Sequence, residues 1–352
     1  MNMRKAVLSI CIPTYNRKNV ILPDVKRYLS VKDDRIIIKV NDNKSTDGTV
    51  EELRKICDKR LVVNENSKNL GGLINGTLSL KGASSDYIMY IIDKDTIDTA
   101  LLVEFVDYLE KKRPDFGYVD LANNKRRHIE TFKAGKEAIL KIAYKSKHPS
   151  GYFWRTTLFE TELEQDYFKR TDQNFEFLFD LMAGSLAAKY DATIVYWPLV
   201  INANLRKTPQ EEYKKSYTYN ESNIYFGFKK RFIAYRIYLT HFLTLDIDNK
   251  IKKSICKIIT DDCISKVTIV LKRSCSNRSL CEHYNMPLKK ISFFCMLTNM
   301  INVLKEHRHL TKKIDSFPVL TFFYLSIKGI LRIIIYYFKL SIGKIDTVTV
   351  KA

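Results

Sequence analysis

An unbroken apolar run, Tyr87-Ile88-Met89-Tyr90-Ile91-Ile92, ends abruptly on Asp93-Lys94-Asp95, and no other stretch constrains the chain as much. Such a run lacks polar alternation, which predicts a parallel strand buried on both faces by helices. Open α/β sheets bind ligands beyond the carboxyl ends of their strands, where Asp93 and Asp95 would stand. Residues two apart in extended chain project to one side, so both carboxylates are expected to face one crevice. Two hard oxygen ligands there suit a divalent cation beside a diphosphate. The plain alternative is a solvated turn, with Asp98 or Thr96 capping a helix over 101–109.

The neighbouring segments favour a sheet with ligand-binding edges. Strand-like runs fall at 6–12, 36–40 and 61–63, the first expected to stop at Pro13. Helical patterns at 19–31, 49–58, 69–80 and 99–112 separate them, with Asp47 or Ser45 placed to cap the second. Strand and helix alternating over short connections predict βαβ units and a mainly parallel, Rossmann-like sheet. Further strands are expected at 116–121, after the turn at 148–151, and at 193–198, with a helix over 175–188. From about residue 210 the pattern turns helical, aromatic and basic. An α/β domain over 1–210 and a helical domain over 211–352 follow.

Charge sharpens that division. Residues 1–200 hold 32 Lys/Arg against 28 Asp/Glu, whereas residues 201–352 hold 27 against 11, a net +16 of the total +20. The partner of the second domain should therefore be anionic, and an anionic membrane surface suits it better than nucleic acid, for which no binding module is present. Residues 317–340 are the most apolar long stretch. Lys328, Arg332 and Lys339 interrupt it at spacings of four and seven, which predicts a helix lying in a membrane interface or a core helix with snorkelling cations. No stretch of about 20 residues is free of charge, which argues against a spanning helix. Seven cysteines without a CxxC pair point to a reducing, cytoplasmic compartment with neither disulfides nor a zinc site. The N-terminus does not read as a signal peptide.

Four motifs fall in order after successive strands: Pro13-Thr14-Tyr15-Asn16-Arg17, Asn41-Asp42-Asn43-Lys44-Ser45-Thr46-Asp47-Gly48, Asn69-Leu70-Gly71-Gly72, and Asp93-Lys94-Asp95. Over about residues 6–200 this arrangement resembles the family 2 glycosyltransferases of GT-A fold, of the bacterial surface-polysaccharide type. The resemblance implies a donor that is a nucleotide sugar, most simply a UDP-sugar, with Mn²⁺ or Mg²⁺ as cofactor. It implies that Pro13 and Tyr15 flank the base and that Asp42 accepts from its imide N–H. An Asx-turn is the alternative role for Asp42. Arg17, Asn69, Gly71 and Lys94 fall among the implied donor-binding residues, Lys94 pointing away from the metal. Asp93 would meet sugar hydroxyls and share the metal with Asp95.

Inversion also needs a general base for the acceptor hydroxyl. Counting back from Asp180-Leu181 puts the family's aspartate position on Asn174, which cannot serve; Glu176 or Asp172 is expected to replace it. His148 is expected either to line the acceptor site or to be structural. The acceptor implied is a glycan or a lipid-diphosphate-linked saccharide at the inner membrane face. A nucleotidyltransferase would want a glycine- and lysine-rich loop after the first strand, and an inactive binding protein is the other alternative.

Overall fold

The computed structural model describes residues 6–121, 127–165, 177–202, 224, 226–314 and 318–341. The chain divides into two compact units, Met1–Lys207 and Thr208–Ala352. The first is built on an eight-stranded sheet. Its strands are β1 (Leu8–Thr14), β2 (Ile36–Asp42), β3 (Leu61–Glu65), β4 (Tyr87–Tyr90), β6 (Phe116–Val119), β7 (Ile129–Phe132), β8 (Tyr152–Arg155) and β9 (Ala192–Val195), in the order β3-β2-β1-β4-β8-β6-β9-β7. A separate antiparallel pair joins β5 (Thr96–Ile97) to β10 (Val200–Ile201). Strands β3, β2, β1 and β4 run parallel, as do β6 and β9, while β8 is antiparallel to both β4 and β6. The sheet is therefore mixed. Helices Lys18–Ser30, Thr49–Arg54, Gly72–Leu80 and Thr99–Lys112 make the crossovers.

The apolar runs behave as their composition demands. Every residue of β1 and β4 is buried, and Leu8, Ile10, Ile12, Ile36, Ile38, Val40, Tyr87 and Met89 share one core with Phe105 and Leu109. Two boundaries differ from expectation. β1 continues through Pro13 to Thr14, in register with Asn41 and Asp42. Cys11 O accepts from Ile91 N, so Pro13, two residues on, offers its backbone to the β4 side, where pairing has already ended at Cys11. The missing proline N–H therefore costs the ladder nothing. In the other direction β4 stops at Tyr90, because the chain turns at Ile92, whose carbonyl accepts from Asp95 N at 3.0 Å. Asp93 and Asp95 thus sit in a turn, and strand alternation does not govern where they point.

The second unit is helical, with helices Phe228–Thr244, Asn249–Ser265, Leu271–Ser276, Arg278–His283, Phe293–Thr311 and Pro318–Ser341, and a π-helical turn at Lys266–Val270. Cys275 and Cys281 pack with Ile224, Phe226, Leu271 and Met286 in one of its apolar clusters, and all seven cysteines are free thiols. Helix Pro318–Ser341 is long and apolar enough to cross a membrane by length and composition. Lys328, which stays exposed, and Arg332 both bind Asp261 of helix Asn249–Ser265, at 2.9 and 2.8 Å.

Candidate active site

The loops following β1 and β2 are laced together. Asn16 N donates to Ser45 Oγ at 2.8 Å, Thr46 N to Asn16 Oδ1 at 2.8 Å, and Lys18 N to Asp47 Oδ2 at 3.0 Å. Asp47 also accepts from Thr49 N, opening the second helix. Asp42 is fully buried, and its two oxygens accept from Ser45 N at 2.7 Å and Ser45 Oγ at 2.5 Å. It therefore pins its own loop through Ser45, three residues on, rather than through the two-residue spacing of an Asx-turn. Each oxygen keeps a second lone pair, so turn formation leaves it acceptor capacity. Tyr15 stands 41% exposed at the rim, one residue beyond the buried Thr14.

An asparagine network holds this edge, and pattern reading missed it. Asn75 Oδ1 accepts from Asn41 Nδ2 (2.8 Å) and Asn66 Nδ2 (2.9 Å), while its own Nδ2 donates to the carbonyls of Thr14 and Asn41. Asn43 Oδ1 accepts from Asn66 Nδ2 and from Leu70 N, and Asn43 Nδ2 donates to Asn69 Oδ1. Asn69 Oδ1 also accepts from Gly71 N, and Gly71 sits at φ +83°, a conformation open to glycine at no steric cost. Three loops and the helix Gly72–Leu80 are thereby fixed by one set of amides, buried at Asn41, Asn43 and Asn75, where a lost partner strands another. Asn75→Ala removes four such bonds at once. It is expected to lower stability by about 2 kcal/mol, checked by denaturant unfolding.

The two aspartates of Asp93-Lys94-Asp95 part company. Asp93 Oδ2 accepts from Thr14 Oγ1 at 3.0 Å and Oδ1 from Arg17 Nη1 at 2.7 Å. Burial raises its pKa, with Arg17 and Thr14 opposing. Asp95, 1% exposed, lies instead with Oδ2 3.4 Å from His148 Nδ1. Both carboxylates, after burial itself, push the Tyr90 phenol upward, so both lie close to its ring. Lys94 is half-buried between them. Asp98, three residues on, accepts from Ala100 N and caps helix Thr99–Lys112, so the capping role and the Asp-x-Asp pair belong to different residues. Among the described residues no three His, Cys, Asp or Glu side chains form a cluster able to hold a metal alone. A buried carboxylate at an open edge fits a cation of the Mg²⁺ or Mn²⁺ type, which takes one or two protein carboxylates and completes its shell from substrate phosphates and water.

Antiparallel β8 brings a further polar group to the same edge. Asp180, buried in the first turn of helix Leu178–Lys189, accepts from Tyr152 Oη at 2.6 Å and from Ser146 N at 2.5 Å. Phe179 beside it packs edge-on against Tyr90, Trp154 and Tyr152, with centroids 4.9, 5.2 and 6.1 Å away, which fixes the start of that helix. Lys147 Nζ stands 4.4 Å from the Tyr118 ring centroid; burial lowers its pKa, and Asp120 and Asp180 oppose. Asp120 follows the carboxyl end of β6 and could have been found by the same strand-end logic. Tyr152 and Lys147 carried no local signal. Asp172, Asn174 and Glu176 lie outside the described residues.

The sequence model of glycosyl transferase family 2 matches residues 9–193, more than half of the chain. The chain belongs to that family. It is 30% identical over 112 residues to the Escherichia coli UDP-Glc:alpha-D-GlcNAc-diphosphoundecaprenol beta-1,3-glucosyltransferase WfaP, a match covering 32% of this chain and 45% of that protein. The chain thus spans less than half the length of that relative. Among solved structures, S. aureus TarS 1-349 superposes with a TM-score of 0.57 at 15% identity, over 96% of this chain and 92% of that one. TarS 1-349 in complex with UDP-GlcNAc gives 0.56 at 15% identity, over 97% and 95%. At such identities the likeness shows the fold alone, which is GT-A.

Proposed function

We propose that this glycosyltransferase takes its sugar from a nucleotide sugar, a UDP-sugar in the simplest case, and passes it with inversion to a hydroxyl of a glycan or lipid-diphosphate-linked saccharide. One observation carries the reading: Pro13-Tyr15, Asp42, Arg17-Asp93 and Asp95 arrive from the ends of β1, β2 and β4 and the turns after them at one carboxyl edge of the sheet. Tyr15 and Pro13 offer the base a platform, and Asp42 an acceptor for an imide N–H. Asp93 would meet sugar hydroxyls, and the guanidinium of Arg17 brings to the same edge a fork suited to phosphate. Asp95 would hold the divalent cation, which when bound offsets charge on the leaving diphosphate. Glu176 and Asp172 remain the candidate bases. The names of WfaP and of the TarS complexes support a UDP-sugar donor, and that of WfaP a lipid-diphosphate acceptor.

The basic helical domain, 211–352, would hold the enzyme peripherally on the cytoplasmic face of the membrane, where such an acceptor is presented. Incubating the protein with Mn²⁺ or Mg²⁺ and a panel of UDP-, GDP- and dTDP-sugars tests the donor. UDP release is expected from one UDP-sugar, and chelation with EDTA should cut it at least tenfold. Absence of nucleotide release from every donor, with no nucleotide-dependent rise in melting temperature, would overturn the proposal.

A further inference from the structure

Beyond the Asp-x-Asp turn, the register of the sheet carries one row of side chains along the same carboxyl edge. Tyr118 lies opposite both Tyr152 and Ile194. Val119 lies opposite Val195, so Asp120 falls beside Tyr196, and Asp120 N donates to Val195 O at 2.9 Å. Tyr196 N donates in turn to His128 O at 3.0 Å, and Glu130 lies opposite Ile194. Residues opposite each other in a ladder share a face, as do residues two apart in a strand. Tyr152, Tyr118, Asp120, Tyr196, His128 and Glu130 therefore belong to one face, on which Asp180 accepts from Tyr152 Oη.

The far end of that row is an aromatic platform with a polar rim. The rings of His128 and Tyr196 stack with centroids 4.3 Å apart and planes 12° from parallel. His128, on the β7 side, covers one face of Tyr196, and the other face looks back toward Asp120 on the β6 side. Glu130 accepts from Tyr196 Oη at 3.4 Å and stands 3.5 Å from His128 Nε2. A carboxylate offers about four lone-pair sites, so these contacts leave Glu130 able to accept more. Burial, then Glu130 and Asp120, raise the Tyr196 pKa, in keeping with both carboxylates lying near its oxygen. The pair is open to solvent: the side chains of His128 and Glu130 are 42% and 43% exposed, and Tyr196 and Asp120 are half-buried.

The electron-rich face of an aromatic ring takes the weakly positive C–H face of a sugar ring, and carboxylates take its hydroxyl hydrogens. Two carboxylates at the rim repel a phosphate or any other anion, so the ligand that fits is uncharged. Position then sets which sugar it is. From β4 to β9 is three strand spacings of about 4.8 Å, or about 14 Å, farther than one sugar ring spans. We propose that Tyr196, stacked on His128 and rimmed by Asp120 and Glu130, is a subsite for an uncharged sugar of the acceptor, beyond the unit that receives the transferred sugar. The proposal rests on the acceptor reading above and deepens it: the acceptor is an oligosaccharide, laid across β8, β6 and β9.

Saturation-transfer difference NMR on the full chain with Mg²⁺ and UDP tests this. The probes are uncharged mono-, di-, tri- and tetrasaccharides built from glucose, galactose and their N-acetylamino forms. In at least one series, affinity is expected to rise at least tenfold from the monosaccharide to the longer members. Tyr196→Leu should abolish that gain. Tyr196→Phe, which keeps the ring and drops the bond to Glu130, should retain it within threefold, an outcome that a merely structural tyrosine would not give. Should Tyr196→Leu fail to fold, His128→Ala at the exposed half of the stack replaces it and should cut the gain at least threefold. UDP bound with no gain in any series would overturn the proposal and leave the donor reading standing. A gain that survives loss of the ring, or that disappears equally in Tyr196→Phe, would overturn it as well. If UDP does not bind the unaltered protein, both readings fall together.

Discussion

Asp95→Ala is expected to lower nucleotide release from the preferred donor at least a hundredfold while shifting the melting temperature by only a few degrees. The carboxylate lies at the turn after β4, 1% exposed, and directed at His148 rather than at a helix N-terminus. Its loss removes the acidic anchor of the cation that offsets charge on the departing diphosphate, an effect worth several kcal/mol in the transition state. A hundredfold corresponds to about 2.7 kcal/mol, so the expectation is a lower bound. Asp98→Ala provides the contrast within the same loop. Asp98 caps helix Thr99–Lys112 through Ala100 N, and its loss should cost about 1 kcal/mol of stability with turnover nearly unchanged. If Asp95→Ala kept turnover within threefold of the unaltered protein, the Asp-x-Asp turn would be a structural corner and the site would lie elsewhere.

The difference between these two aspartates shows what the sequence could and could not carry. Strands β1, β2 and β4 were legible because a doubly covered parallel strand must be apolar throughout, and the order of polar motifs after them followed the order of the strands. Which way Asp93 and Asp95 point was not legible. Alternation applies to extended chain, and the chain had already turned at Ile92. Asp93 found Arg17 and Thr14, more than 75 residues earlier, and Asp95 found His148 in a turn delivered by an antiparallel strand. The asparagine network was hidden for the same reason. Asn41, Asn43, Asn66, Asn69 and Asn75 each suit a loop alone, and only the register β1–β2–β3 makes them one structure. Lys328 and Arg332 were legible as a stripe, but their partner Asp261 lies on another helix and could not be read from the spacing.

Apart from Lys328, the exposed side of helix Pro318–Ser341 is mainly apolar. Leu320 is 66% exposed, Phe323 58% and Ile327 57%, and Val319, Tyr324, Leu331 and Ile335 are exposed beside them at spacings of three and four. Exposed Lys312 and Lys313 close the preceding helix, and the surrounding segment carries most of the net charge. An anionic bilayer surface complements both features, since the apolar row can enter the acyl boundary while cations remain among the headgroups. Partition onto vesicles containing anionic lipid is therefore expected, falling as salt rises because the cationic share is screened. Replacing Leu320, Phe323 and Ile327 together by serine should weaken it by about 3 kcal/mol, roughly a hundredfold, at about 1 kcal/mol for each half-exposed large side chain that would otherwise become buried. Since these three side chains project away from the helical core, nucleotide release from a soluble donor should be unchanged by the substitutions. Partition unaltered by both salt and the triple substitution would refute a lipid-facing role for this helix, and a change in oligomeric state on substitution would assign the apolar row to a second copy of the chain instead.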